Sequence, residues 1–142
     1  MKFLKNSIVI EAPSDRVLTY VNDPTMMVDW IPHMMEIRDV IGTGEGLQYC
    51  WTCKYVGLLL TGQSTVVEYV PNELSVHQTI GTINSVLTCR VEPHEEGTRL
   101  TIDVEYGIPI PVLGKLAEHL VVRRDARDLK VMLANVKDQL EA

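Results

Sequence analysis

Apolar and polar positions alternate through most of the first hundred residues of this chain and then change period, and the change divides it into a strand-rich part and a helical one. Residues 3 to 11 alternate weakly around Ile8, Val9 and Ile10, which predicts a first strand. Ala12-Pro13-Ser14-Asp15-Arg16 then opens a helix: proline suits the first turn, Asp15 lies near the positive end of the helix dipole, and Val17, Leu18 and Val21 supply an apolar side. Asn22-Asp23-Pro24 ends it. TMMVDWIPHMMEIRDV begins as a second short helix and is broken by Pro32, which lacks the N–H a helix interior needs, so the chain leaves as a strand near Met35. The glycine-dense GTGEG at 42–46 reads as a turn between antiparallel strands, without the GxGxxG spacing or following helix that phosphate binding requires. Five more strands are predicted at about 47–56, 58–70, 73–81, 84–93 and 98–107, with punctuation at Gly57, Pro71-Asn72, Gly81 and Glu96-Gly97, so neighbours pair as a meander.

After Pro109 and Pro111 the texture becomes that of one long helix, roughly 112–141. At 1.5 Å per residue it is about 45 Å long, enough to cross a sheet of about seven strands, which is roughly 34 Å wide. The predicted class is therefore α+β: a curved antiparallel sheet around a C-terminal helix, with two short helices between strands 1 and 2, in one domain covering 1–142. Val122, Ala126, Leu129, Leu133, Val136 and Leu140 form a regular core-facing stripe. Leu113, Leu116, Ala117 and Leu120 form a second, nearly opposite stripe, which either a kink brings back to the same face or which lines an opening while the second half packs on the sheet.

Strand parity proposes an interior. Tyr49, Trp51, Cys53 and Tyr55 share one face, and by the same rule Leu74, Val76, Gln78 and Ile80, then Ser85, Leu87, Cys89 and Val91, then Leu100, Ile102, Val104 and Tyr106 point inward. The 58–70 strand has no clean phase, which predicts a bulge. Tyr49, Tyr55, Gln78, Ser85 and Tyr106 thus carry polar tips into an apolar space, where an unpaired polar group costs about 1 to 3 kcal/mol. Several together on a concave sheet fit a ligand pocket better than a filled core. Met26, Met27, Met34 and Met35 flank Trp30, a set that suits an adaptable lid or a small core. The candidate ligand-binding residues are Trp30, Met34, Tyr49, Trp51, Tyr55, Gln78, Leu87, Tyr106, Leu116 and Leu120.

Composition narrows the partners. A chain of 142 residues with 46% hydrophobic and 23% charged residues can bury a real core as one globular domain. A net charge of −6 argues against nucleic acid, and the basic cluster of Arg123, Arg124 and Arg127 is interrupted by Asp125 and Asp128. MKFLKNSIVIEA lacks the continuous apolar core of a signal peptide or membrane span, so cytoplasmic location and no stable membrane insertion are expected. An odd number of cysteines, three, argues against a disulfide framework.

Cys50-Trp51-Thr52-Cys53 has the spacing of a redox motif but not its setting. In a strand the two thiols point to opposite faces about 10 Å apart, beyond the roughly 7 Å limit for a disulfide, and no helix N-terminus lowers their pKa. No second ligand pair completes a zinc site, so neither metal nor cofactor is expected. His33, next to Pro32, reads as a pocket residue or a lone surface histidine, His77 falls on the outward phase, His94 in a turn and His119 between the helix stripes, so no histidine–carboxylate pair emerges and no nucleophile stands beside a base.

The ordered occurrence of SIVIEAPSDRVLTYVND, Trp30 before IPHMMEI, the GTG turn, VVEYVPNEL, GTRLTIDVEY and a final helix ending VMLANVKDQLEA resembles the START-like helix-grip superfamily (SRPBCC), in its polyketide cyclase/dehydrase branch, over essentially the whole chain. The resemblance implies a helix-grip fold with a deep hydrophobic cavity between sheet and long helix, in proteins that range from lipid and hormone carriers to aromatase/cyclases. No cyclase catalytic set and no iron ligands match residue by residue. The expected function is binding of a hydrophobic small molecule, such as a lipid, isoprenoid or polyketide-like compound, for transport, sensing or sequestration by a monomer or homodimer. The alternative is a polyketide cyclase/dehydratase in which tyrosines and Gln78 orient a polyketone. An ionisable group inside the cavity, Arg124 or His119, separates the two; a protein-binding module comes third and requires a large exposed apolar patch.

Overall fold

The computed structural model describes residues 2–55, 57–107 and 115–142, with side chains from 120 onward in the last segment. Seven strands form one antiparallel sheet in the order β1-β7-β6-β5-β4-β3-β2: β1 (Lys2–Ile10), β2 (Met34–Ile41), β3 (Gln48–Tyr55), β4 (Leu58–Val70), β5 (Leu74–Gly81), β6 (Ser85–His94) and β7 (Gly97–Tyr106). Two short helices, α1 (Ser14–Val21) and α2 (Met27–Trp30), separate β1 from β2, and α3 (Lys115–Glu141) follows β7. This is the helix-grip arrangement. Because each strand from β2 to β7 pairs with the next in sequence, the first strand reaches its place only by pairing with the last, Lys2 opposite Tyr106 and Ile10 opposite Thr98.

The short helices follow from local chemistry. Pro13 is extended and starts α1, which buries Val17, Leu18 and Val21 and closes when the Asn22 N–H donates to the Leu18 carbonyl at 3.0 Å. A 3-10 turn over Pro24–Met26 is capped by Asp23, whose carboxylate accepts from the Thr25 N–H at 3.0 Å. It leads into the single turn of α2, which buries Met27 and Trp30 and stops at Ile31, because a residue before proline is pushed to extended backbone. His33 then takes φ 68, a left-handed conformation uncommon for a residue other than glycine, and so reverses the chain into β2.

Helix α3 grips the sheet with its second half. Leu129, Leu133, Val136 and Leu140 from the expected stripe, with Met132, are buried in one core with Ile10, Val17, Leu18, Val21, Leu100 and Ile102. Polar bonds fix the same end: the Lys137 ammonium donates to the Val9 carbonyl at 2.7 Å, and Glu141 accepts from the Glu11 N–H at 2.8 Å and from Lys137 at 2.7 Å. Val122 and Ala126, higher on the same stripe, are only half-buried. Of the second stripe, Leu113, Leu116 and Ala117 lie outside the described residues and side chains, and Leu120 is 56% exposed.

The inward faces of β3, β6 and β7 are those expected from parity, and β4 carries the expected irregularity, a register shift between Val66 and Glu68. In β5 the expected phase is inverted. Ser75, His77 and Thr79 are buried while Gln78 and Ile80 are exposed. Pairing decides this: Val66, His77, Leu87 and Val104 stand opposite one another across four strands, and directly opposed residues share a face. Gln78, expected inside, therefore belongs to the convex surface.

Truncating Leu133, 2% exposed, to Ala is expected to cost about 2–5 kcal/mol in urea unfolding, whereas Val131→Ala, at a position 43% exposed on the same helix, stays within about 0.5 kcal/mol.

Candidate functional site

Two adjoining lobes lie on the concave side of the sheet, the outer one against α3. The inner one, about 170 Å³, lies over β3–β6 and is bounded by Met27, Trp30, Met34, Tyr49, Trp51 and Leu87, with His77 and Thr79 in its floor. The outer one, about 210 Å³, lies toward α3, between Tyr55, Val104, Tyr106, Asp125, Leu129 and Met132. Ile31, Pro32, Cys53, Ile83 and Ser85 border both lobes and form the waist between them.

The floor of the inner lobe is a ladder of polar groups satisfied across neighbouring strands. Trp51 Nε1 donates to Ser64 Oγ at 3.1 Å, and Ser64 shares a hydrogen bond with Thr79. The indole lies flat only because β4 carries Gly62 beneath it; a Cβ there would come within 2.6 Å of the ring. Tyr49 Oη and His77 Nδ1 are 2.8 Å apart, and their rings meet edge to face. Burial drives Tyr49 well above the ordinary phenol range and lowers His77 to about 4, so near neutral pH both are uncharged. His77 Nε2 and Trp30 Nε1, on residues that line the inner lobe, are buried and find no hydrogen-bond partner among the described residues.

The outer lobe holds a carboxyl group. Tyr55 Oη donates to Asp125, at 2.9 and 3.1 Å to its two oxygens, and Arg124 stands over the Tyr55 ring at 5.9 Å. Burial raises the Asp125 pKa above the ordinary carboxyl value, partly offset by the tyrosine hydroxyls. Burial, reinforced by Asp125, also raises Tyr55 and Tyr106. The Tyr106 hydroxyl is near enough to Asp125 for each to shift the other, yet no hydrogen bond of ordinary geometry reaches it among the described residues.

A strap, residues 31–34, crosses beside both lobes. His33 Nε2 lies 3.2 Å from Asp128 on α3, Asn135 of α3 donates to the Trp30 carbonyl at 3.2 Å, and Lys54 N–H donates to the His33 carbonyl at 3.0 Å. The left-handed His33 is thereby held twice, by its side chain to α3 and by its carbonyl to β3.

Of the residues proposed from sequence, Trp30, Met34, Tyr49, Trp51 and Leu87 come together in the inner lobe and Tyr55 and Tyr106 in the outer one. Gln78 and Leu120 do not join them, since both side chains are exposed, and Leu116 lies outside the described side chains. Sequence reasoning placed His77 outside, left His33 between pocket and open surface, and gave Asp125 no role. Asp125 precedes Leu129 by four residues and so shares its helix face, a signal that was available. Cys50 and Cys53 are free thiols on opposite faces of β3, and burial raises Cys53 at the waist and Cys89 beneath the floor, the latter to about 12. No described group of three or more His, Cys, Asp or Glu could hold a metal ion, and no described helix is long and apolar enough to cross a membrane.

The profile of the family described as "Polyketide cyclase / dehydrase and lipid transport" matches residues 3–141, and the chain belongs to that family. Among solved structures, TTHA0849 from Thermus thermophilus superposes with a TM-score of 0.84 at 17% identity, covering 98% of this chain and 97% of that one. The Zhui aromatase/cyclase from a Streptomyces species gives 0.81 at 13% identity, over 99% and 93%. DR_A0006 from Deinococcus radiodurans gives 0.73 at 12% identity, over 97% and 96%. At these identities the likeness is one of fold. None of the curated proteins matches the chain in sequence.

The His77 shift sets a pH dependence. A histidine that stays neutral to about pH 4 in the fold but titrates near 6.5 when unfolded leaves stability unaffected above 6.5 and lowers it as pH falls from 6.5 to 4, by up to about 3 kcal/mol. Urea midpoints measured across that interval should fall with pH for the parent, and the His77→Gln variant should show a clearly shallower fall.

Proposed function

We propose that this protein binds a hydrophobic small molecule carrying a few oxygen functions, with its body in the two lobes, for carriage, sensing or sequestration. One observation carries the reading: Trp30, His77 and Tyr106, each with a buried polar atom that finds no partner among the described residues, line an otherwise apolar hollow. Leaving each unsatisfied costs about 1–3 kcal/mol, a cost that a ligand oxygen removes once a small side-chain shift opens the atom to the lobe. Trp30 Nε1 can only donate, so it calls for a carbonyl, ether or hydroxyl oxygen. His77 Nε2 donates or accepts according to the tautomer that Tyr49 selects. An apolar cavity of roughly 150 Å³ accommodates a benzene-sized ring, so each lobe suits a ring or a short branched chain, and the waist suits a linked or angular ligand over a straight one. Family membership, with its combination of cyclase and lipid-transport members, is in keeping with this class of ligand.

Native mass spectrometry of freshly purified protein is expected to reveal a co-purified small molecule, and the neutral fluorescent probe N-phenyl-1-naphthylamine should enter the same space. Leu87→Trp fills the inner lobe and is expected to weaken probe uptake by about tenfold or more while preserving the fold. Protein that carries nothing and takes up no probe would sink the reading.

Asp125 favours a second reading, in which the outer lobe closes a ring on a polyketone, the type of chemistry named for the Zhui aromatase/cyclase. A carboxylate with a raised pKa removes a proton from carbon adjacent to a carbonyl, and the Tyr106 hydroxyl donates to the enolate oxygen. The carbanion carbon bonds to a second carbonyl carbon, whose oxygen receives the proton back from Asp125. On this reading Asp125→Asn keeps probe binding but lowers turnover of a poly-β-ketone, followed by ultraviolet absorbance, by about 10²–10⁴-fold. Undiminished turnover in that variant would remove Asp125 from the chemistry.

A further inference from the structure

Beside the lobes runs a third depression, more open and about 390 Å³ in volume, lined by His33, Met34, Met35, Lys54, Gly57 and Arg124. It shares His33 with the lining of the outer lobe and Met34 with that of the inner lobe, so it adjoins both. Its sign is opposite to that of the chain. The protein carries a net charge of −6, yet the groove is lined by a lysine, an arginine and a histidine and, among the described residues, by no carboxylate.

The two permanent cations are available. Among the described residues neither Lys54 nor Arg124 forms an ion pair, whereas Arg38 pairs with Asp39 and Lys137 with Glu141. The nearby acids are engaged on the lobe side: Asp128 is matched by His33, and Asp125 accepts the Tyr55 hydroxyl. Arg124 is also positioned, with its guanidinium over the Tyr55 ring at 5.9 Å, so less freedom is lost when it binds an anion. Lys54 is held at its backbone by the bond from its N–H to the His33 carbonyl, which ties the groove to the strap.

We propose that this groove is a second subsite for the same ligand and takes an anionic group, a carboxylate or a phosphate ester, borne on the apolar body that the lobes hold. The inference rests on the binding reading above and narrows it to amphipathic acids. An anion between an ammonium and a guanidinium gains charge-assisted hydrogen bonds, and because the groove is open it keeps part of its hydration. The thioethers of Met34 and Met35 adapt to whatever links head to body. In a chain that repels anions at long range, the local cations also set the orientation of entry, apolar end toward the lobes.

Two probes with one aromatic body test it: neutral N-phenyl-1-naphthylamine and its sulfonated counterpart, 8-anilino-1-naphthalenesulfonate. In the Lys54→Gln, Arg124→Gln double variant, affinity for the sulfonate is expected to fall about tenfold and affinity for the neutral probe less than about twofold. Added salt should weaken only the sulfonate, and only in the parent protein. Displacement of the neutral probe by 2-naphthoate or by 2-naphthyl phosphate, each weaker against the double variant, identifies which anion the groove prefers. Equal losses for both probes, or an unchanged sulfonate affinity, would overturn the subsite while leaving the cavity reading intact. A parent protein that binds no neutral probe would overturn the cavity reading and the subsite with it.

Discussion

The architecture depends on an incomplete clamp. Helix α3 is held at its C-terminal end, where Leu129, Met132, Leu133, Val136 and Leu140 enter the core and Lys137 and Glu141 bond to the backbone of Val9 and Glu11. One turn earlier the lobe-side residues include Asp125 and Asp128, which a close-packed interface would leave as buried charges, and Val122 and Ala126 beside them are only half-buried. From Leu129 toward residue 120 the described side chains pass from the packed core to the edge of a lobe. The outer lobe lies where the core packing of the stripe gives way to acidic side chains.

A hollow needs a floor that does not collapse into it, and the inner face of β3–β5 supplies one. Tyr49, Trp51, Ser64, His77 and Thr79 bond to one another across strands and so stand rigidly without packing against anything above them. Gly62 belongs to the same design, because it lets the Trp51 indole lie along the sheet instead of rising into the lobe. The strap from Ile31 to Met34 closes the side, and its strained residue, His33, is the one tied both to α3 and to β3. Strain at that point is maintained by two contacts, to Asp128 and to the Lys54 N–H, which give the strap one definite position at the junction of both lobes and the cationic groove.

The order of elements, the strand limits and the gripping stripe of α3 were legible because each depends on a local period or a turn residue. Three of the inward faces were legible for the same reason. The phase of β5 was not, since LSVHQTIG places its apolar residues Leu74, Val76 and Ile80 on the convex side and its polar ones over the cavity. Hydrophobic parity finds a core face, and this strand faces a hollow; only its pairing with Leu87 and Cys89 reveals the inversion. His77 was misassigned with it. His33 and Asp125 were missed on different grounds: the first acquires its place through a left-handed turn that no spacing announces, and the second was judged by its basic neighbours instead of by its helix face.

The unsatisfied atoms around the hollow bear on stability as well as on recognition. Three buried polar atoms at about 1–3 kcal/mol each represent a substantial fraction of the roughly 5–15 kcal/mol by which a domain is stable. A ligand that satisfies them binds only the folded form, so its binding free energy adds directly to the stability of the fold, by RT ln(1 + [L]/Kd). On the proposed reading, the features that favour an oxygenated ligand in the inner lobe also make the ligand-bound state the better-determined fold. Trp30 belongs to both, since its indole N–H is buried without a partner among the described residues while its backbone carbonyl is bonded to Asn135 on the gripping helix.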